Sequence, residues 1–90
     1  MDPGMEPVVD RFPEFAALIQ DCFHDDQSFR EMCNDYAETL AALQKWQSSV
    51  GPQRAARIEE YRELVRELEV EIVAALQLQR NTKDVRHDRL

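Results

Sequence analysis

Ninety residues, 43% hydrophobic and 32% charged with a net charge of −7, make one small domain, too apolar for wholesale disorder. The acidic balance disfavours general binding to phosphate backbones or anionic membranes, and no apolar run approaches the ~20 residues of a membrane span. The charge is uneven: residues 1–50 hold ten acids against three bases, and residues 51–90 hold eight of each.

Residues 1–10 carry Pro3, Gly4 and Pro7 among scattered acids, the composition of a mobile N-terminal arm. Met1-Asp2-Pro3-Gly4 shows neither the basic patch nor the apolar stretch of a secretory leader, so the chain reads as cytoplasmic. A first short helix is expected next. Pro13 suits a first helical turn, Glu14 favours the positive end of the dipole, and Phe12, Phe15, Leu18, Ile19, Cys22 and Phe23 recur at helical spacing. His24-Asp25-Asp26-Gln27 then reads as a polar turn.

Ser28-Phe29-Arg30-Glu31 has the pattern of a capping box, which predicts a second helix from Ser28 to about Gln47. Its apolar residues Phe29, Met32, Tyr36, Leu40, Leu43, Trp46 and then Val50 follow a heptad spacing. Ser48-Ser49-Val50-Gly51-Pro52 supplies the turn: Gly51 can close one helix and Pro52 can begin the next. The third helix, Gln53 to Asn81, is free of Gly and Pro and repeats Ile58, Tyr61, Val65, Leu68, Ile72 and Leu76. The fold class is therefore all-α, a short first helix plus an antiparallel helical hairpin over residues 11–81. Dimerisation offers a way to complete a larger coiled-coil-like bundle.

At 1.5 Å per residue the third helix spans ~42 Å and the second ~30 Å. Folding back at Gly51 brings Ser28 level with about Val73 and leaves residues 74–81 overhanging. The far half of the third helix is also apolar on more than one side, and such a helix must be covered most of the way round. Val70, Val73, Leu76 and Leu78 are the candidate interface for a second copy or a partner helix. Beyond Asn81-Thr82 the chain is expected to fray into a tail, residues 82–90. There Lys83, Arg86 and Arg89, with Arg80 just before them, face only Asp84 and Asp88.

Phe12-Pro13-Glu14-Phe15, then Leu18-Ile19, a polar turn, Phe29 seventeen residues after Phe12 and Tyr36 seven later, resemble the small bacterial YdcH-like proteins. Those are short helical hairpins with no assigned biochemical role, and the resemblance spans residues 12–75. The chain departs from the pattern at Gln27-Ser28, where the family would place a proline, and in its extra terminal segments. The resemblance implies a small bacterial helical protein and transfers no active site.

The residues offer little to catalysis. Cys22, His24 and Cys33 lack the spacing and the fourth ligand of a structural zinc site, and both cysteines read as core thiols. His24 falls in a turn and His87 in the tail, so neither is set against a nucleophile. Two glycines cannot make a phosphate cradle. Glu59-Glu60 and Glu67/Glu71 read as a solvated helix face, and neither histidine has the Glu three residues before it that a di-iron bundle uses. Tyr36 and Trp46 read as core, with Trp46 partly exposed near the turn. The expectation is a non-enzymatic protein–protein interaction module without cofactor or metal, self-associating as a dimer or docking a helical partner. The alternative is a nucleic-acid-linked regulator using the basic C-terminal tail, whose binding would weaken steeply with salt.

Overall fold

A computed structural model of the chain describes the backbone of residues 2–88 and the side chains of residues 2–81. Its regular elements are α1 (Glu6–Arg11), a 3₁₀ turn (Pro13–Phe15), α2 (Ala16–Asp25), α3 (Gln27–Gln47) and α4 (Arg54–Asp88). The all-α class and the antiparallel hairpin follow the apolar periodicity. There are, however, four α-helices among the described residues, not three.

The additional helix lies in the stretch expected to be a mobile arm. Pro7 occupies the first turn of α1, where no intrahelical N–H is needed. Gly4 lets the chain approach α3: a Cβ there would stand 2.1 Å from Asn34 Oδ1. Met5, Val8 and Phe12, at 5%, 0% and 7% exposure, join the main core. Burying such side chains is worth about 1.5–3 kcal/mol each, and this outweighs the breakers that suggested disorder.

Asp26 is the single residue between α2 and α3. Its carboxylate accepts a hydrogen bond from the Phe29 amide at 3.3 Å, so Asp26, not Ser28, caps α3, and Ser28 sits exposed in the first turn. The two positions compete for the same task, and an Asp preceding the helix also favours its positive end. Glu31 instead accepts from Gln27 Nε2 at 3.3 Å. Across the junction Arg30 donates from Nε to the Phe23 carbonyl at 3.0 Å and from Nη2 to the His24 carbonyl at 3.2 Å. It thereby satisfies carbonyls that the end of α2 leaves without helical partners.

The hairpin turns at Gly51, whose φ of +134° is open to glycine and strained for other residues. Arg54 Nη2 reaches back 3.0 Å to the Gln47 carbonyl and closes the end of α3. Val50, expected in the apolar seam, lies outside the helix and is 96% exposed.

Residues 48–53 form the turn, and α4 is offset along α3 by about one helical turn from a symmetric fold at Gly51. Tyr36 meets Glu69, and Gln27 and Ser28 border the same hollow as Gln79, so α3 begins level with Gln79 and not with Val73. Helix α4 continues without a break to Asp88, past the expected fraying point at Asn81–Thr82. Nothing after Pro52 interrupts its backbone hydrogen bonds, because no Gly or Pro follows. The side chains of Lys83, Arg86 and Arg89 lie outside the described residues.

The molecule is a rod of 60 × 23 × 21 Å, thick at one end and thin at the other. At the thick end α1 and α2 join α3 and α4 around Ile19, Phe23, Cys33, Tyr36, Ile72 and Leu76. Toward Gly51 only α3 and α4 remain, and Ile58 is the one buried apolar residue of that half.

Candidate interaction surface

The two helices of the hairpin each present one side to α1. On α3 that side carries Tyr36, Ala37, Leu40 and Ala41, which border a hollow with Pro7 and Asp10. On α4 it carries Arg66, Glu69, Val73 and Gln77, which share a shallow apolar groove of about 480 Å³ with Arg11 and Phe12.

A three-residue network fastens α1 here. Glu69 accepts from Arg11 Nε at 3.0 Å and from the Tyr36 hydroxyl at 2.7 Å, so one carboxylate joins α1, α3 and α4. Arg11 also lies over the Phe12 ring, 5.1 Å from its centroid. Sequence reasoning assigned no role to Arg11, Glu69 or Arg30, and placed Asp26 only in the polar turn ahead of α3. The only signal for the network was that Glu69 is an acid among otherwise core-side positions of α4.

Burial and the bond to Glu69 hold the Tyr36 hydroxyl protonated well above its ordinary range. Burial, and then the neighbouring Cys22, push the Cys33 thiol up to about 12. Both cysteines are buried, as core thiols should be. Both raised groups keep their protons longer in the folded chain than in the unfolded one. Their contribution to stability is therefore complete below about pH 9 and is lost as pH rises toward 12, at up to ~1.4 kcal/mol per pH unit per group. Urea melts between pH 8 and 11 should show this alkaline loss, and a Tyr36→Phe, Cys33→Ala double variant should flatten it.

The four residues expected to form the docking surface do not share a side. Leu76 is fully buried in the core and cannot meet a partner. The register shift explains this, since it places residue 76 inside the bundle instead of beyond it. Val73 is half-buried against the same core, while Val70 and Leu78 are 70% and 66% exposed. At 100° per residue, Val73 and Leu78 stand about 140° apart on α4. Val70 and Val73 belong to the α1 side and Leu78 to the opposite one. Leu64 follows Leu78 there, 44% exposed.

Tyr36 is 2% exposed and is core, while Trp46 is half-buried near the turn. His24 is exposed, and Cys22 and Cys33 are packed in the interior, so the structure does not gather these three into a site. Among the described residues no three His, Cys, Asp or Glu side chains converge as metal ligands. Among them, too, no helix is long and apolar enough to cross a membrane. Glu59, Glu60, Glu67 and Glu71 are all exposed, and Glu59 and Glu60 pair with Arg62 and Arg57. Of the basic residues near the C-terminus, Arg80 is described and exposed.

No family model matches the chain, and comparisons with curated proteins and with solved structures give no match.

Proposed function

We propose that this chain is a non-enzymatic helical interaction module of the cytoplasm, which works by laying α4 and the hairpin it forms against another helical surface. The observation that carries the reading is the exposure of Leu64 and Leu78, about 40° apart on one side of α4. Large apolar side chains gathered along an element mark contact surfaces, whereas scattered ones need no explanation. The same helix is otherwise well supported by ion pairs at i,i+3, such as Arg57–Glu60 and Arg62–Glu59, so exposure is not a sign of a poorly formed rod. The likeness of residues 12–75 to the YdcH-like hairpins, which carry no assigned reaction, is in keeping with this reading.

Leu78→Glu is the direct test, because Leu78 is exposed and its replacement leaves the core untouched. Val73→Glu would report on stability as well, since Val73 packs on the core. The wild-type chain should sediment above its monomer mass of 10.5 kDa at tens of micromolar, and Leu78→Glu should weaken that association. Association unchanged by Leu78→Glu would count against α4 as the docking element.

A further inference from the structure

Resting on that reading, we infer that the partner is a second copy of this chain, bound antiparallel against the side of the α3–α4 hairpin that α1 leaves bare.

The geometry of the hairpin defines that side. Trp46 lies about 180° round α3 from Ala37, and Leu64 lies about 160° round α4 from Arg66. Ala37 and Arg66 both border hollows beside α1, so Trp46 and Leu64 both look out of the opposite side. Leu43, Tyr61 and Leu68 line the seam between them. All five are half-buried or exposed, although the hairpin is built from them. Two helices alone cannot enclose a seam of this width, and a second pair of helices would complete a four-helix bundle.

Three observations select a second copy and its direction. The first is matching length. Val50 at the hairpin tip is 96% exposed and Leu78 is 66% exposed, and Leu64 lies midway between them in sequence. A two-fold axis near Leu64, running across the hairpin, sets each tip over the partner copy's Leu78. Both exposed residues are covered by one operation, which makes the contact isologous and closed.

The second is charge. The middle of the bare side is edged by exposed Asp35, Glu67 and Glu71, and the tip carries exposed Lys45 and Arg54, with Arg57 paired to Glu60. Antiparallel pairing sets the basic tip beside the acidic middle. Parallel pairing would oppose acid to acid, which suppresses that arrangement.

The third is area. From Arg54 to Leu78 the helix rises about 36 Å, and the rod is 21–23 Å wide. That gives roughly 700 Å² per copy, close to the ~800 Å² per partner of a standard specific interface.

The chain holds one tryptophan, Trp46, and it lies on this side, so it reports the contact directly. The experiment is sedimentation equilibrium with Trp46 emission from about 100 µM down to about 0.1 µM, a range that brackets micromolar affinity. Wild type, Leu64→Glu and Val70→Glu are compared, the last adding the same charge to the other side of the same helix. The wild type should move from dimer to monomer on dilution, with Trp46 emission shifting to the red in step. Leu64→Glu should weaken association at least ~tenfold, the scale of one lost buried contact. Val70→Glu should leave it unchanged, and circular dichroism should show all three equally helical.

Direction is read from Gln53→Cys, spin-labelled at that exposed position while the two native thiols stay buried. Antiparallel pairing predicts labels roughly 30–35 Å apart from the helical rise, whereas parallel pairing brings them within about 20 Å. Dimerisation that Val70→Glu disrupts and Leu64→Glu does not, or that leaves Trp46 emission unmoved, overturns the assigned side and leaves the interaction reading standing. A short label distance overturns the antiparallel arrangement. A monomer at every concentration overturns self-pairing, and α4 as a docking rod then stands or falls on whether a different helical protein binds it and is lost with Leu78→Glu.

Discussion

Ile72→Ala is expected to lower stability by about 3 kcal/mol, within the range of 2–5 kcal/mol for buried Ile to Ala. Ile72 has no exposed surface and lies in the one cluster to which all four helices contribute. A hole made there is walled on every side and cannot collapse. For a domain of this size each kcal/mol moves Tm by about 4–8 °C, so the midpoint should fall by at least about 12 °C. Ile58→Ala removes the same atoms from the thin end, where Ile58 is 7% exposed and only α3 and α4 meet. Two helices with open flanks can close in on the gap, and the cost there should be nearer 1–2 kcal/mol. Urea melts at submicromolar concentration give both values. Equal costs would mean that the thin end is enclosed as fully as the thick one.

The second large effect is expected from Val8→Asp. Val8 is fully buried, and a carboxylate there would have no partner, a condition that costs several kcal/mol. The chain has a cheaper response than global unfolding, which is to release α1. Undocking exposes Met5, Val8 and Phe12, each worth about 1.5–3 kcal/mol when buried. It also frees the backbone of residues 2–11, which recovers entropy at about 1 kcal/mol or more per residue. The two totals are of similar size, so α1 can undock at far lower cost than unfolding of the whole chain. Val8→Asp should therefore remove amide protection from residues 5–12 while α3 and α4 keep theirs. Cys22 and Cys33 share a cluster with Val8, and their labelling by thiol reagents should accelerate. A uniform loss of protection along the chain would show that α1 is not a separable unit.

Much of this architecture is legible in the residues, and the misreadings have physical causes. The hairpin could be read because Phe29 to Trp46 and Ile58 to Leu76 repeat at helical spacing and only Gly51-Pro52 interrupts them. The buried thiols and the core position of Tyr36 follow from the same pattern. Helix α1 was not legible, because Pro3, Gly4 and Pro7 are breakers by propensity. Their use in a first turn and in a close approach to Asn34 depends on tertiary contacts that no local window contains. The interface residues suffered from an error of register. Counting outward symmetrically from Gly51 placed Leu76 outside the bundle, whereas the actual pairing of Tyr36 with Glu69 offsets α4 by about one turn and brings Leu76 inside. The Arg11–Glu69–Tyr36 network joins residues far apart in sequence, where periodicity carries no signal.

Arg11 and Glu69 are separated by 58 positions along the chain, and this order has a consequence during synthesis. The segment that becomes α1 leaves the ribosome well before the anchor on α4 that holds it is made. At about 5–20 residues per second, Val8 and Phe12 wait roughly 3–12 s before Glu69 exists to hold the helix in place. The charged Glu6, Asp10 and Arg11 beside them keep this nascent stretch soluble through that interval.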